Sequence, residues 1–271
     1  MRIVVCVKEV LDPDAVNSYA LAGRLEIGAD GRSLTQSAIP RLMNGYDEQA
    51  LEAALRLRDA GADCRIEAVS IGPDSTTILK HAAALGADAV TSLLLAEGAA
   101  DCHVVAALLA AWVQKSGGAD LVLCGRQASD DDQGVVPALL CERLGVPLVV
   151  NARAVERVET ATGPGFRVVC VTPDGDEGVE VAAPAVVTVS SELGTPRYPT
   201  AARKLAARKV QPAVVAPESL GLAEAELRPR VVARRQLVPA VQGRCERIEG
   251  GSPAEIARAL VARLRADRVI P

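Results

Sequence analysis

Aromatic side chains make up only 2% of the 271 residues, too few for the stacked platforms that hold nucleic-acid bases. The core must therefore be packed by Val, Leu, Ile and Ala. Basic excess is missing too: 30 Lys and Arg stand against 34 Asp and Glu, for a net charge of −4, which excludes the concentrated positive footprint of a nucleic-acid binder. Histidine is almost absent, with only His81 and His103, and no CxxC pair occurs among the seven cysteines. A zinc ribbon or iron–sulfur cluster is thereby excluded, and each histidine, lying in a helix-like stretch without a partner pattern, reads as structural. No apolar run approaches the 18 or more residues of a membrane span. Met1-Arg2 is followed at once by a strand pattern carrying Lys8 and Glu9, unlike a secretory signal. Cys6, Cys64, Cys102, Cys124, Cys141, Cys170 and Cys245 are odd in number and scattered. They read as reduced, small core residues of a cytoplasmic protein.

What the chain does have is 49% hydrophobic content arranged in alternating short apolar runs and helical periodicities. Strand patterns cover residues 2–8, 64–71, 89–95 and 121–124; helical patterns cover 46–60, 75–85, 99–115 and 134–144, several closed by glycine at 61, 86 and 145. Strict alternation of this kind predicts an α/β fold, a doubly wound parallel sheet of the Rossmann-like, nucleotide-binding type with right-handed crossovers. A long excursion, residues 11–43, interrupts the first crossover and carries a small hairpin pattern at 25–27 and 33–36 around Asp30-Gly31. A second excursion, 152–182, reads as antiparallel strands at 152–159, 166–172 and 179–182, and 185–190 (AVVTVS) then rejoins the main sheet. Residues 192–210 form a proline-punctuated loop with a basic helical turn. The expected organisation is an α/β domain over 1–210 and an extended C-terminal arm over 211–271. That arm ends in a helix over 253–265, started by Ser252, Pro253 and Glu255 and carrying Ile256, Leu260 and Leu264 at i, i+4 and i+8.

The chemistry-bearing stretch is DLVLCGRQASDDDQG, residues 120–134. A buried-strand run, Leu121 to Cys124, meets a polar loop that opens a helix, so unpaired N–H groups at a helix start would sit at the carboxyl edge of a parallel sheet. Asp130, Asp131 and Asp132 put three carboxylates there, each repelling a phosphate by about 1 kcal/mol at 4 Å in water. They must point elsewhere: to the helix N-terminus as caps, to ribose hydroxyls, or to a magnesium ion through water.

Several segments together resemble the electron-transfer flavoprotein beta subunit: VVCVKEV at 4–10, NGYDEQALEAALRL at 44–57, VSIGP at 69–73, DLVLCGRQASDDD at 120–132 and PAVVTVSSELGTPRY at 184–198. The order and spacing of these segments over some 200 residues carry the resemblance. It implies a heterodimer whose alpha subunit holds a redox-active FAD while the beta subunit holds AMP, or alternatively a second FAD. It implies an electron carrier, not itself an enzyme, that takes electrons from dehydrogenases and passes them to a quinone-reducing or other acceptor. The nucleotide-binding residues it implies are Cys6, Asn44, Gly45, Tyr46, Asp47 and Ile71, with the loop residues Gly125, Arg126, Gln127, Ala128, Ser129, Asp130, Asp131, Asp132, Gln133, Gly134, Val135 and Val136. Backbone N–H groups from Asp132 to Val136 are expected to take the phosphate, Arg126 to balance charge and Gln127 to bond base or ribose or else brace the loop. Tyr46 is placed near the partner's flavin or, failing that, packs at its helix start. The dehydrogenase would dock through the loop around Pro196 to Ala201, and the C-terminal arm would contact the alpha subunit. Three positions depart from the family pattern: Gly45 replaces proline at the helix start, Gln133-Gly134-Val135-Val136 lacks the phosphate-binding threonine, and Ala201 stands where the docking leucine would be.

Two other readings share the fold. An adenine-nucleotide alpha-hydrolase-type enzyme needs a glycine- and serine-rich loop after the first strand, where this chain has Lys8-Glu9-Val10-Leu11-Asp12. A nucleotide-sensing module would lack the extra hairpins and the long arm. No nucleophile–base constellation is legible anywhere in the chain.

Overall fold

In the computed structural model, which describes residues 1–96, 98, 100–238 and 245–271, strands alternate with helices from the first residues onward. Strand β1 (Arg2–Cys6) is followed by short β2 (Glu9–Leu11), helix α1 (Pro13–Leu21) and short β3 (Arg41–Met43). Then come α2 (Gly45–Asp59), β4 (Arg65–Gly72), α3 (Thr76–Leu85), β5 (Ala89–Leu94), α4 (Cys102–Lys115), β6 (Leu121–Gly125) and α5 (Val136–Leu144). The remainder is β7 (Leu148–Thr160), β8 (Gly163–Thr172), β9 (Gly175–Ala182), β10 (Ala185–Val189), α6 (Ala201–Ala207), β11 (Ala213–Val215) and α7 (Pro253–Ala266).

The described strands build a nine-stranded sheet in the order β11-β5-β4-β1-β6-β10-β7-β8-β9, parallel from β11 through β7 and antiparallel from β7 to β9. This is the doubly wound fold the alternation predicts. Side-chain alternation sends Ile3, Val5, Leu121, Leu123 and Val187 into a core with α2 and α3, and Val4, Val69, Val122 and Val186 into a second core with α4 and α5. Helices therefore cover both faces of the parallel part, which is why its central strands read as unbroken apolar runs. The chain moves outward from β1 through β4 to β5, then crosses back to place β6 on the other side of β1. That reversal leaves a crevice at the carboxyl ends of β1 and β6.

The main differences from the sequence reading lie outside this frame. The small hairpin read within the 11–43 excursion is present: Ile27 bridges Leu34 antiparallel, with the Gly28 N–H donating to the Ser33 carbonyl at 2.7 Å and the Thr35 N–H to the Glu26 carbonyl at 3.1 Å. What the sequence reading lacked in the excursion is α1, capped by Asp12 and with no buried residue, and β3, which pairs antiparallel with β2. The fourth helix begins at Cys102 and the fifth at Val136, each a few residues later than read from the sequence; Ala99, where the fourth helix was expected to start, lies outside the described residues. Residues 213–215 of the arm are β11, a parallel edge strand on β5.

The described chain separates into a compact unit, Met1–Gln236, and a second, Leu237–Pro271. The second unit holds α7, whose start is capped by the Ser252 side chain accepting from the Glu255 N–H at 3.4 Å, as the sequence indicates. Arg263 is tied to Glu246 at 3.0 Å, and no residue of α7 is buried. No helix of the described residues is long and apolar enough to cross a membrane.

Candidate functional site

The crevice between β1 and β6 opens into a cavity of about 420 Å³, within the range typical of small-molecule sites. The strand ends supply Cys6, Val69, Ile71, Cys124 and Gly125; the start of α2 supplies Asn44 and Asp47; the loop after β6 supplies Gln127, Ala128, Asp131, Gln133, Gly134, Val135 and Val136. Of the residues singled out in the sequence, Gly45, Tyr46, Arg126, Ser129, Asp130 and Asp132 stand outside the lining. Lys8, Asp101, Cys102, Val105, Leu109, Pro137, Val231 and Ala233 line it without having been singled out.

The first residues of α2 brace this loop. Asn44 is fully buried; its side-chain amide donates to the Gln127 carbonyl at 2.9 Å, and its oxygen accepts from the Ser129 N–H at 3.2 Å. Asp47, also buried, accepts from the Gly125 N–H at 3.0 Å and from the Lys8 N–H at 2.8 Å, tying β1 to β6 across the switch point. Burial pushes the Asp47 carboxyl up to about 7, against the pull of those N–H groups. This packing requires glycine at 125: a Cβ there would run into Asp47 Oδ1 and come within 2.7 Å of Tyr46 Cβ.

The loop carries no side-chain cap for α5; its N-cap is Val135, with Pro137 in the first turn. Capping by the aspartates is thus not what the structure shows. Lys8 Nζ instead pairs with Asp130 at 2.7 Å and Asp131 at 3.3 Å, while Asp132 accepts from the Gln127 side-chain amide at 2.8 Å. Gln127 also accepts from Arg126 Nε at 3.1 Å, so it braces the loop. Among the described residues no group of three or more Asp, Glu, His or Cys is gathered as a metal-ligand set. Arg126 lies over the Tyr46 ring, 5.6 Å from its centroid, a contact worth about 0.5–1 kcal/mol.

Within the expected phosphate-binding run, the Asp132 N–H bonds the Ala128 carbonyl at 2.9 Å and the Gln133 N–H bonds Asp131 at 3.2 Å. The N–H groups of Gly134, Val135 and Val136 have no partner among the described residues, and they stand at the start of α5, the positive end of its dipole. Gly134 holds a φ of +61°, and a Cβ there would lie 2.7 Å from the Arg126 carbonyl oxygen. Only glycine lets the chain turn at this point and present three consecutive donors. Three consecutive free donors at a helix start are the donor set a phosphate oxygen needs, and the neighbouring carboxylates are engaged elsewhere, Asp130 and Asp131 by Lys8 and Asp132 by the Gln127 amide.

A second surface lies beside α2. Arg197 bonds Glu52 through Nε at 2.7 Å and Asp59 at 2.7 Å, and Arg56 Nη1 donates to the Leu193 carbonyl at 2.7 Å. Burial alone would raise the Glu52 carboxyl, but the bonds from Arg197 and Arg56 hold it below the usual carboxylate range. The segment so anchored leads through Tyr198, 87% exposed, to the start of α6, where Leu205 is 61% exposed one turn beyond Ala201.

Residues 33–215 match the family model described as electron transfer flavoprotein domain. The chain is 31% identical over 282 residues to the caffeyl-CoA reductase-Etf complex subunit CarD of Acetobacterium woodii, covering all of both chains. It is 33% identical over 214 residues to the electron transfer flavoprotein subunit beta of Megasphaera elsdenii, covering 74% of this chain and 72% of that one. With the subunit of the same name from Clostridium acetobutylicum it shares 35% identity over 200 residues, 73% of this chain and 71% of the other.

Proposed function

The chain belongs to the electron transfer flavoprotein family, as a beta-like subunit of an electron-transfer flavoprotein complex, and on that premise we propose that its cavity holds an adenine nucleotide by the phosphate. The single observation that carries this is the row of unpartnered N–H groups at Gly134, Val135 and Val136 beside the cavity. An adenosine phosphate is common to AMP and FAD, so the same cradle serves either, with AMP the simpler occupant and a second FAD the alternative. The redox-active FAD belongs mainly to a partner alpha subunit, and flavin supplies the electron-transfer chemistry. This chain's residues bind and orient. Gly134 to Val136 hold the phosphate, Asn44 and Asp47 fix the loop that presents them, and Lys8 offsets part of the negative charge of Asp130 and Asp131.

In this reading the chain is a carrier subunit and not an enzyme by itself. It forms a cytoplasmic complex that takes electrons from a dehydrogenase and delivers them to a quinone-reducing or other oxidoreductase acceptor. Residues 1–210 carry the phosphate cradle of the nucleotide-binding domain; of the 211–271 arm, β11 and residues 228–236 return to that domain and the rest contacts the alpha subunit, residues 239–244 lying outside the described residues. The exposed apolar row of α7, Ile256, Leu260 and Val261, supports the arm's role. The loop around Pro196 to Ala201, anchored by Arg197, is the docking point for the donor. Full-length similarity to a subunit of a caffeyl-CoA reductase-Etf complex supports a donor or acceptor acting on a CoA thioester.

The test is to purify the chain with its partner subunit, release bound small molecules with acid and identify adenine species by mass. One FAD plus one AMP per heterodimer, or two FAD, is the expected result. A single FAD with no second adenine nucleotide would contradict the proposal.

A further inference from the structure

Besides the loop after β6, the cavity has a second wall that belongs to neither the sheet nor the helices. Residues 228–236 run along it as a strap without regular secondary structure, and Val231 and Ala233 on it line the cavity. One end hangs on Asp101. This carboxylate serves two elements at once: Oδ1 accepts from the His103 and Val104 N–H groups at 3.1 and 3.0 Å, capping α4, while Oδ2 accepts from the Arg230 and Val231 N–H groups at 2.6 and 2.8 Å. The other end is fixed where the Gln236 N–H donates to the Gly31 carbonyl at 2.7 Å. Between these anchors, residues 232–235 make no hydrogen bond to the rest of the described chain.

We infer that residues 228–236 are a retaining strap for the adenine nucleotide, and that Asp101 is the positioning residue that latches it to the start of α4. This rests on the nucleotide reading above and adds to it the element that governs entry and release. The other walls are held more firmly: the strand ends lie in the sheet, and the loop after β6 is braced by the buried Asn44 side chain and by Lys8. The strap is tied by a single carboxylate near one end and a single backbone bond at the other, so it opens at the cost of few bonds. Burial opposes ionisation of Asp101, but the N–H groups of Val104, Val231 and Arg230 hold its carboxyl below the usual range, which keeps the latch charged near neutral pH.

Two variants separate the strap from the helix cap. Asp101→Asn keeps a good N-cap side chain but offers one oxygen where two were used. Arg230→Pro removes a strap donor and leaves the cap of α4 intact. Each is made in the full chain, purified with its partner subunit, and two quantities are followed: the rate at which loaded AMP is lost on dilution, and tryptic cleavage after Arg234 and Arg235. Both variants should lose AMP about tenfold faster than the parent, the scale of one lost charge-assisted hydrogen bond. Cleavage should be faster in both, and added AMP should protect the parent more than either variant. AMP loss at the parental rate in both variants overturns the strap and leaves the nucleotide reading standing. Acceleration in Asp101→Asn alone overturns it also, because the residue would then act only through α4. If the parent itself binds neither AMP nor FAD, the nucleotide reading falls first and the strap's role with it.

Discussion

The inner wall of the cavity is made of strand ends cross-tied to α2 by the buried side chains of Asn44 and Asp47, whereas its outer wall is a strap latched by one half-exposed carboxylate. The difference separates two tasks. Holding three N–H donors at fixed positions needs a frame that does not move, because a phosphate rewards only donors that are already aligned. Letting a ligand in and out needs a segment whose opening breaks few bonds. Substitutions in the inner wall should therefore register first in folding stability, and those in the outer wall in ligand exchange.

The largest effect is expected at Gly125. Gly125→Ala would drive a methyl into Asp47 and Tyr46, and overpacking together with the displaced buried carboxylate should cost about 3–5 kcal/mol, read as a lowered urea midpoint. Asn44→Ala comes next: it leaves the Gln127 carbonyl and the Ser129 N–H without their partners, a loss of about 2–3 kcal/mol. Either substitution with parental stability would break the claim that the inner wall is a rigid frame.

Asp47 sharpens the comparison through pH. Its carboxyl is raised by burial from an ordinary 3.8 to about 7, so across that window the folded chain keeps a proton that the unfolded chain has released. The sign follows from linkage: this group's contribution to stability falls as pH rises through the window, and the loss is complete above about 7. Asp47→Asn should flatten the change in urea midpoint between about pH 5 and about pH 7. An unchanged slope would contradict the burial argument. The smallest effect on folding belongs to Lys8→Ala, which removes exposed ion pairs worth under ~1 kcal/mol but frees Asp130 and Asp131 to repel a phosphate. AMP should then bind roughly fivefold more weakly with stability almost unchanged, as titration calorimetry and urea unfolding would report.

The frame was legible in the sequence because its signals are local. The apolar runs of β1, β4, β6 and β10 and the glycine-closed helices announce a parallel sheet, and the loop after β6 falls where such a sheet binds ligands. What was not legible depends on contacts far apart in the chain. Asn44 meets the loop 83 and 85 residues away, and Asp101 meets the strap 129 and 130 residues away; no spacing rule links such positions. The segment RVVARR therefore reads as part of an irregular arm. Helix α1 was missed for another reason: it is short and buries no residue, so no core contact marks it out, although Asp12 followed by Pro13 is a helix start in miniature. The aspartates invited a capping role from their place before α5, but their pairing with Lys8 arises from β1 and β6 lying side by side.

The most direct test of the central claim compares AMP with adenosine, which lacks the phosphate, by titration calorimetry on the parent and on Gly134→Ala in the complex freed of nucleotide. If the row of N–H groups from Gly134 to Val136 holds the phosphate, the parent binds AMP about 100-fold tighter than adenosine, and the variant, whose turn at 134 can no longer form, loses most of that advantage. Equal affinities of the parent for AMP and adenosine would contradict the account.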